Sequence, residues 1–378
     1  MKKHLLSLSV LVPLLGTAHA QSTVTLYGLL DTDIAFANNV GGHQQYEELS
    51  GGRQSSRWGL KGTEDLGAGM KTIFLLENGF STTNGKLGQG GDEFGRKAYM
   101  GISSDRFGTI TLGRQYDSIV DYTLQYGPTA LMGYAHPGDL DNFQNTLRVN
   151  NSIKFQSVNY AGLTFGGVYS FGGLPGKIAK NQIWSLGAGY EGGPLTIGVG
   201  YLNVRDPNFS FFGNNATSST TASNMSGSPL YSGYASARTQ QIIAAGGVYH
   251  IGASMFGVSY SNTQFRDLGA EANLNPLHYQ GNASFNNFEA DYLYQLNPAL
   301  SFAIHYDYTK AYSINNAGYH QAMIFVDYFI SKRTDIFVQE IFQHASGKDS
   351  TGATAQAVIG PFSPSSTANQ LSVQAKLI

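Results

Sequence analysis

The chain has 378 residues, 13% of them charged, a formal net charge of −2, no cysteine, and 47 glycines, 23 tyrosines and 22 phenylalanines. So weak a balance argues against a nucleic-acid partner, whose phosphates demand clustered Lys and Arg. The missing cysteine excludes a disulfide framework, a thiolate metal site and a cysteine nucleophile, and the charged fraction falls well below the about 25% of an ordinary soluble domain.

Lys2 and Lys3 precede an apolar run from Leu5 to Leu15, and "TAHAQ" puts Ala18 and Ala20 at the small-residue positions before a cut. This pattern predicts a signal peptide over 1–20, cleaved after Ala20. The run is too short for a membrane anchor, which needs about 20 residues. Losing Lys2 and Lys3 leaves 21 basic against 25 acidic side chains, a net −4. No later apolar run is long enough for a membrane helix, so an exported chain that enters a membrane does so with strands, because only helices and closed barrels satisfy their backbone in lipid.

Along the rest of the chain apolar residues recur at period two: Phe302, Ile304, Tyr306 and Tyr308 alternate with Ala303, His305 and Asp307, one face apolar and the other small or polar. Sixteen strands are predicted, over 22–38, 53–64, 70–80, 93–103, 108–116, 146–157, 162–172, 180–190, 195–205, 237–250, 253–265, 284–295, 300–311, 319–330, 335–345 and 369–378. Short turns such as "DLGAG" (65–69), "SDRFG" (104–108) and "EGGP" (191–194) alternate with long segments near 39–52, 81–92, 117–145, 206–236, 267–283 and 347–367. Short turns on one side and long loops on the other describe a transmembrane antiparallel up-and-down β-barrel, and one of that width leaves an aqueous channel. Tyr27, Trp58, Tyr201, Tyr249, Tyr306 and Tyr328 lie near strand ends, where aromatic girdles meet the lipid interfaces. Segment 206–236 reads as an external loop whose composition needs no packed core. No boundary divides 21–378, which is expected to be one barrel domain.

In "SSRWGLKGTEDL" (55–66), Trp58 and Leu60 share one face, and Arg57 and Lys61 the other. Segment 117–145 combines Ile119, Val120, Leu124, Leu131 and Met132 with Asp117, Asp121, Asp139 and Asp141. By pattern alone it either folds inward and narrows the lumen or is an ordinary solvated loop.

Four motifs narrow the choice. "STVTLYGLLDTDIAF", "SSRWGLKGTEDLGAGMKTIFLLENGF", "FGRKAYMGISSDRFGTITLGRQYD" and "RVNNSIKF" together resemble the Gram-negative general diffusion porins, especially the neisserial and burkholderial type, most strongly over 22–160. The resemblance implies a homotrimer of sixteen-stranded barrels in the outer membrane of a Gram-negative bacterium, in contact with lipid and lipopolysaccharide, built by the barrel-assembly machinery and passing ions and small hydrophilic solutes. It makes 117–145 the inward-folded constriction loop, with Asp117, Asp121, Asp139 and Asp141 facing a basic wall of Arg57, Arg96, Arg114 and Arg148. Parity adds Lys61 beside Arg57. It also resists the carry-over at Arg114, which shares parity with Ile110 and Leu112, and at Arg96, which competes with Lys97. Opposed charges across a narrow gap would set a transverse field that selects solutes by charge. The family commonly ends in an aromatic residue, whereas this sequence ends "LSVQAKLI" at Ile378.

Other chemistry finds little support. His43, His136, His250, His278, His305, His320 and His344 show no paired ligand spacing, so neither a metal site nor a cofactor is expected. There is no G-x-S-x-G elbow and no phosphate-binding glycine loop. A barrel hydrolase and a surface adhesin are the alternatives. His305 near Asp307 comes nearest to a catalytic pair, and a lumen-facing position explains it more simply.

Overall fold

Period-two alternation becomes a single antiparallel sheet in the computed structural model, which describes residues 22–127, 136–213, 219 and 223–378. The leader ending at Ala20 lies outside the described residues, as do Leu131 and Met132. Eighteen strands are described: β1 Thr23–Leu29, β2 Thr32–Val40, β3 His43–Ser50, β4 Arg57–Gly67, β5 Met70–Gly79, β6 Lys97–Ser104, β7 Gly108–Gln115, β8 Val149–Gln156 and β9 Leu163–Ser170, then β10 Ile183–Gly192, β11 Leu195–Arg205, β12 Thr239–Ile251, β13 Ser254–Leu268, β14 Gly281–Asn297, β15 Leu300–Tyr312, β16 Gly318–Phe329, β17 Asp335–Ser346 and β18 Asn369–Leu377. From β4 to β18 each strand pairs with the next. β18 then pairs with β2, β2 with β3, and β1 with β4.

The count exceeds the sixteen expected for two local reasons. The strand expected over 22–38 is interrupted at Leu30 and Asp31. Asp31 is fully buried, and its carboxylate accepts the backbone N–H groups of Arg53 at 2.9 Å and Gln54 at 2.6 Å, while Ser56 Oγ donates to its carbonyl at 2.9 Å. These bonds knot residues 30–31 to 53–56 and break both strands there. The expected loop 39–52 meanwhile contains β3, whose polar sequence HQQYEELS hid it. Cross-strand packing holds it instead, with the Phe36 and Tyr46 rings 4.9 Å apart.

Burial runs opposite to that of a soluble domain. On β15 the apolar Phe302, Ile304 and Tyr306 are 41%, 58% and 40% exposed, whereas Ser301, His305 and Asp307 between them are 4%, 1% and 0%. Buried polar groups must find partners, and these do. Gln343 donates to Gln321 at 2.9 Å, Gln321 to Asp307 at 3.0 Å, and His305 lies 2.7 Å from Asp291 and 3.1 Å from Asp307. Segment 206–236 also departs from expectation, for it does carry a core. Met225, Leu230 and Tyr234 are buried against Phe265, Phe285 and Ala317, because apolar side chains spaced among Ser and Asn gather over the sheet's rim.

Candidate functional site

Of segment 117–145, the described residues 117–127 and 136–145 follow β7 and lie against the sheet. Asp117 begins the turn: its Oδ1 accepts the N–H groups of Ile119 at 2.7 Å and Val120 at 3.3 Å, satisfying donors that a helix start leaves open, and Oδ2 accepts Asn142 Nδ2 at 2.7 Å. A π-helical segment, Ile119–Leu124, follows, every residue of it buried. It lies in a trough that only glycine can form. A Cβ on Gly198 would stand 1.9 Å from the Tyr122 carbonyl oxygen, one on Gly187 2.5 Å from the Tyr122 ring, one on Gly189 2.6 Å from the Tyr126 ring, and one on Gly200 2.9 Å from Ile119 Cδ1. Ser118 N–H donates to Ser185 Oγ at 3.0 Å, and Lys154 Nζ pairs with Asp121 at 2.6 Å, both side chains largely buried.

The folded loop and the wall opposite it enclose a cavity of about 800 Å³. Its wall side carries Arg53, Arg57, Arg96 and Lys97, with Glu77 among them, and its loop side carries Asp139. Arg96 Nε lies 2.8 Å from Glu77 Oε1, and Arg57 Nε 3.9 Å from Oε2, which also accepts Tyr27 O–H at 2.8 Å. Tyr116 O–H accepts from Arg96 and Arg148, each at 3.1 Å, while its ring lies 4.8 Å below Lys97 Nζ. Glu77 thus offsets the charge of Arg96, Asp327 at 2.8 Å and Asp335 at 3.4 Å offset that of Arg53, and Arg57 and Lys97 give the wall a positive excess.

The sequence-predicted residues are distributed unevenly about this cavity. Arg57 and Arg96 line it. Arg96 lies just before β6, where strand parity does not apply, so it and Lys97 both border the cavity. Arg148 sits behind Tyr116, stacked 5.1 Å from its ring centre and donating to the Thr146 carbonyl at 2.7 Å. Lys61 shares Arg57's face but lies off the cavity, 5.4 Å from the Tyr27 ring centre. Arg114 does not border the cavity as the resemblance implied, and donates instead to the Gly95 carbonyl at 2.7 Å and to Asn150.

The acids are placed differently from a row facing the arginines. Asp117 caps the loop helix and Asp121 pairs with Lys154. Asp141 accepts Phe143 N–H at 3.1 Å and the Ser261 hydroxyl, and lies 3.3 Å from His136 Nε2. Asp139 borders the cavity, yet accepts Gln144 N–H at 2.9 Å and Thr146 O–H at 2.6 Å. Carboxylates drawn into a buried loop take the donors that the loop's own backbone leaves open. Burial pushes Asp117 up to about 6 against the bonds from Asn142 and Ile119, and raises Asp139 while His136 lowers it. For His136 burial acts downward, but Asp141 and Glu289 overcome it and raise the imidazole to about 10. Arg53, Lys97, Glu77 and Tyr116 were missed as site residues. Arg53 opened a predicted strand and Lys97 was the rival to Arg96, so both were in view without a pattern to select them.

The Gram-negative porin family model matches residues 7–350. An outer membrane porin of Bordetella pertussis is 33% identical over 235 residues, covering 55% of this chain and 61% of that one. Outer membrane porin protein 32 of Delftia acidovorans is 34% identical over 214 residues, 53% and 59% of the two chains. The chain thus spans about three-fifths of the length of the curated relatives it matches. Among solved structures, an anion-selective porin from Comamonas acidovorans has a TM-score of 0.74 at 21% identity, covering 94% of this chain and 99% of that one. OmpT, an outer membrane protein of Vibrio cholerae, has 0.64 at 17% identity, covering 94% and 98%. At these identities the solved structures carry the fold alone. A family match across most of the sequence, joined to a sheet with its apolar face outward and a loop laid against its polar face, leads to one conclusion: the chain belongs to the Gram-negative porins, and its place is the outer membrane.

Proposed function

We propose that the sheet closes into a membrane-spanning barrel around a water-filled channel for passive diffusion of ions and small hydrophilic solutes, with three copies forming a homotrimer amid lipid and lipopolysaccharide. The burial pattern carries this reading: a band of exposed Ile, Leu, Phe and Tyr outside a network of buried Gln, Asp and Glu suits lipid without and water within. β1 with β2, and β3 with β4, each cross as one interrupted strand, which makes sixteen crossings. Residues 21–378 form one domain after removal of 1–20, and 117–145 is the constriction loop. The assembly partner is the barrel-assembly machinery, as for other outer-membrane barrels.

The channel favours anions. Of the side chains lining the cavity, Arg53 is paired with Asp327 at 2.8 Å and Arg96 with Glu77 at 2.8 Å, and Asp139 is held by loop donors, so Arg57 and Lys97 supply the positive excess. The name of the Comamonas porin agrees in sign. A hydrolase is disfavoured because His305, the nearest approach to a catalytic base, is buried between Asp291 and Asp307 on the inward face. Purified protein added to a planar bilayer should give stepwise conductance increments in groups of three, with an anion-favouring reversal potential in a salt gradient. Arg57→Gln with Lys97→Gln should move that potential toward cations; an unmoved potential would remove these residues from the filter. A folded preparation without conductance would remove the channel itself.

A further inference from the structure

His136, in the segment proposed as the constriction loop, borders the cavity together with Pro137, Gly138 and Asp139. The imidazole is 1% exposed and packed edge-on against Phe143 at 6.0 Å. Its two nitrogens are used differently. Nδ1 lies 2.9 Å from Glu289 Oε1 and 3.2 Å from Asn287 Nδ2, both on β14. Nε2 makes no hydrogen bond among the described residues and lies 3.3 Å from Asp141 Oδ1. Asp139 completes a group in which one ligand atom from each of the three residues lies within 4.8 Å of the others.

Three physical features set this group apart from an ordinary ion pair. A carboxylate that takes Nδ1–H orients the ring so that Nε2, once its proton is displaced, turns a lone pair toward the site, the arrangement that orients metal-ligating histidines. The 3.3 Å gap between Nε2 and Asp141 is long beside the about 2.7–2.9 Å of a charge-assisted bond. It equals the edge of a tetrahedron with bonds of about 2.0 Å, the length of Zn–N and Zn–O bonds. Charge points the same way: Asp139, Asp141 and Glu289 surround one imidazole, so a single proton leaves two negative charges uncompensated and a divalent cation leaves one. His305 is the contrast, for both its nitrogens are taken, at 2.7 Å by Asp291 and 3.1 Å by Asp307.

We propose that His136, Asp139 and Asp141 bind a divalent transition-metal ion, with Zn²⁺ the best match to one imidazole and two carboxylates, and that this ion clamps the constriction loop to the barrel wall. On binding, the ion replaces any proton on Nε2, which leaves to water, and no other bond breaks. Glu289 and Ser261, reached from His136 and Asp141, tie the site to β14 and β13, so a filled site resists movement of the loop away from the wall. The cavity gives the ion its entry route.

The test uses the protein folded in detergent, in a His320→Gln, His344→Gln background that removes one exposed and one half-buried imidazole outside the cavity, dialysed against zinc chloride. About one zinc per chain is expected, and His136→Gln and Asp141→Asn should each weaken retention at least about tenfold in variants whose folded, heat-modifiable band is intact. No retained zinc, the result for an imidazolium ion pair alone, overturns the proposal, as does retention unchanged in His136→Gln. Should the variants fail to fold, zinc K-edge absorption of the parent protein decides: a shell of one imidazole with oxygen donors supports the site, and a shell without imidazole overturns it. Neither readout depends on conductance, so the clamp and the channel fail separately.

Discussion

At Asp117 a buried carboxylate starts the loop helix, and its position has a pH consequence. Burial raises it from 3.8 to about 6, so between those values the folded chain holds more protons than the unfolded one. Its contribution is therefore present below about pH 4 and lost as pH rises to about 6, a cost of roughly 3 kcal/mol at neutral pH. Asp117→Asn keeps an acceptor for Ile119 and Val120 but cannot ionise. The difference in thermal midpoint between this variant and the parent should grow in the variant's favour from pH 4 to 6 and then level off; a constant difference would show that Asp117 does not titrate in this window. Sequence alone found the four loop acids as a set but not their roles, because the bonds that define them run from loop backbone, Lys154 and Ser261, which share no period with them. Arg57, on a regular strand, borders the cavity, whereas Arg114, expected in the basic wall by resemblance against its strand parity, does not.

At the scale of elements, the glycines of β10 and β11 decide where the loop lies. Their alternation with Val199 and Tyr201 was visible as a small-residue face, yet nothing in the repeat told that a helix would occupy it. Gly198→Ala should force the Tyr122 segment off the wall into the lumen, since the 1.9 Å contact is with backbone oxygen and cannot be relieved by a rotamer. The expected result is lower single-channel conductance and a stability loss of about 1–3 kcal/mol, as overpacked sites show. Parental conductance in a folded Gly198→Ala protein would mean that the helix does not rest in this trough.

For the whole molecule, alternation carried most of the fold. Turns near 65–69, 104–108 and 191–194 fall where β4 meets β5, β6 meets β7 and β10 meets β11. What escaped were irregularities held by side chains, namely the Asp31 knot, the polar strand β3 and the core under 206–236. The outward apolar band makes its own prediction. Ile304, 58% exposed midway along β15, should tolerate Val but not Lys. Ile304→Lys should cost about 2–4 kcal/mol in lipid bilayers, measured by denaturant titration in vesicles. No loss would place that face in water.

The glycine trough also dictates an order of events. The loop helix at 119–124 is made before β10, β11 and β12 as the chain emerges, yet it rests on β10 and β11, and Gly127 approaches Gly246 of β12. Its docking surface does not exist until strands more than sixty residues downstream have paired, and closing so long a loop is slow. The loop helix is therefore seated late in folding. During refolding into detergent, amides of 119–124 should gain hydrogen-exchange protection after those of β10–β12; earlier protection would show that the helix forms without its bed.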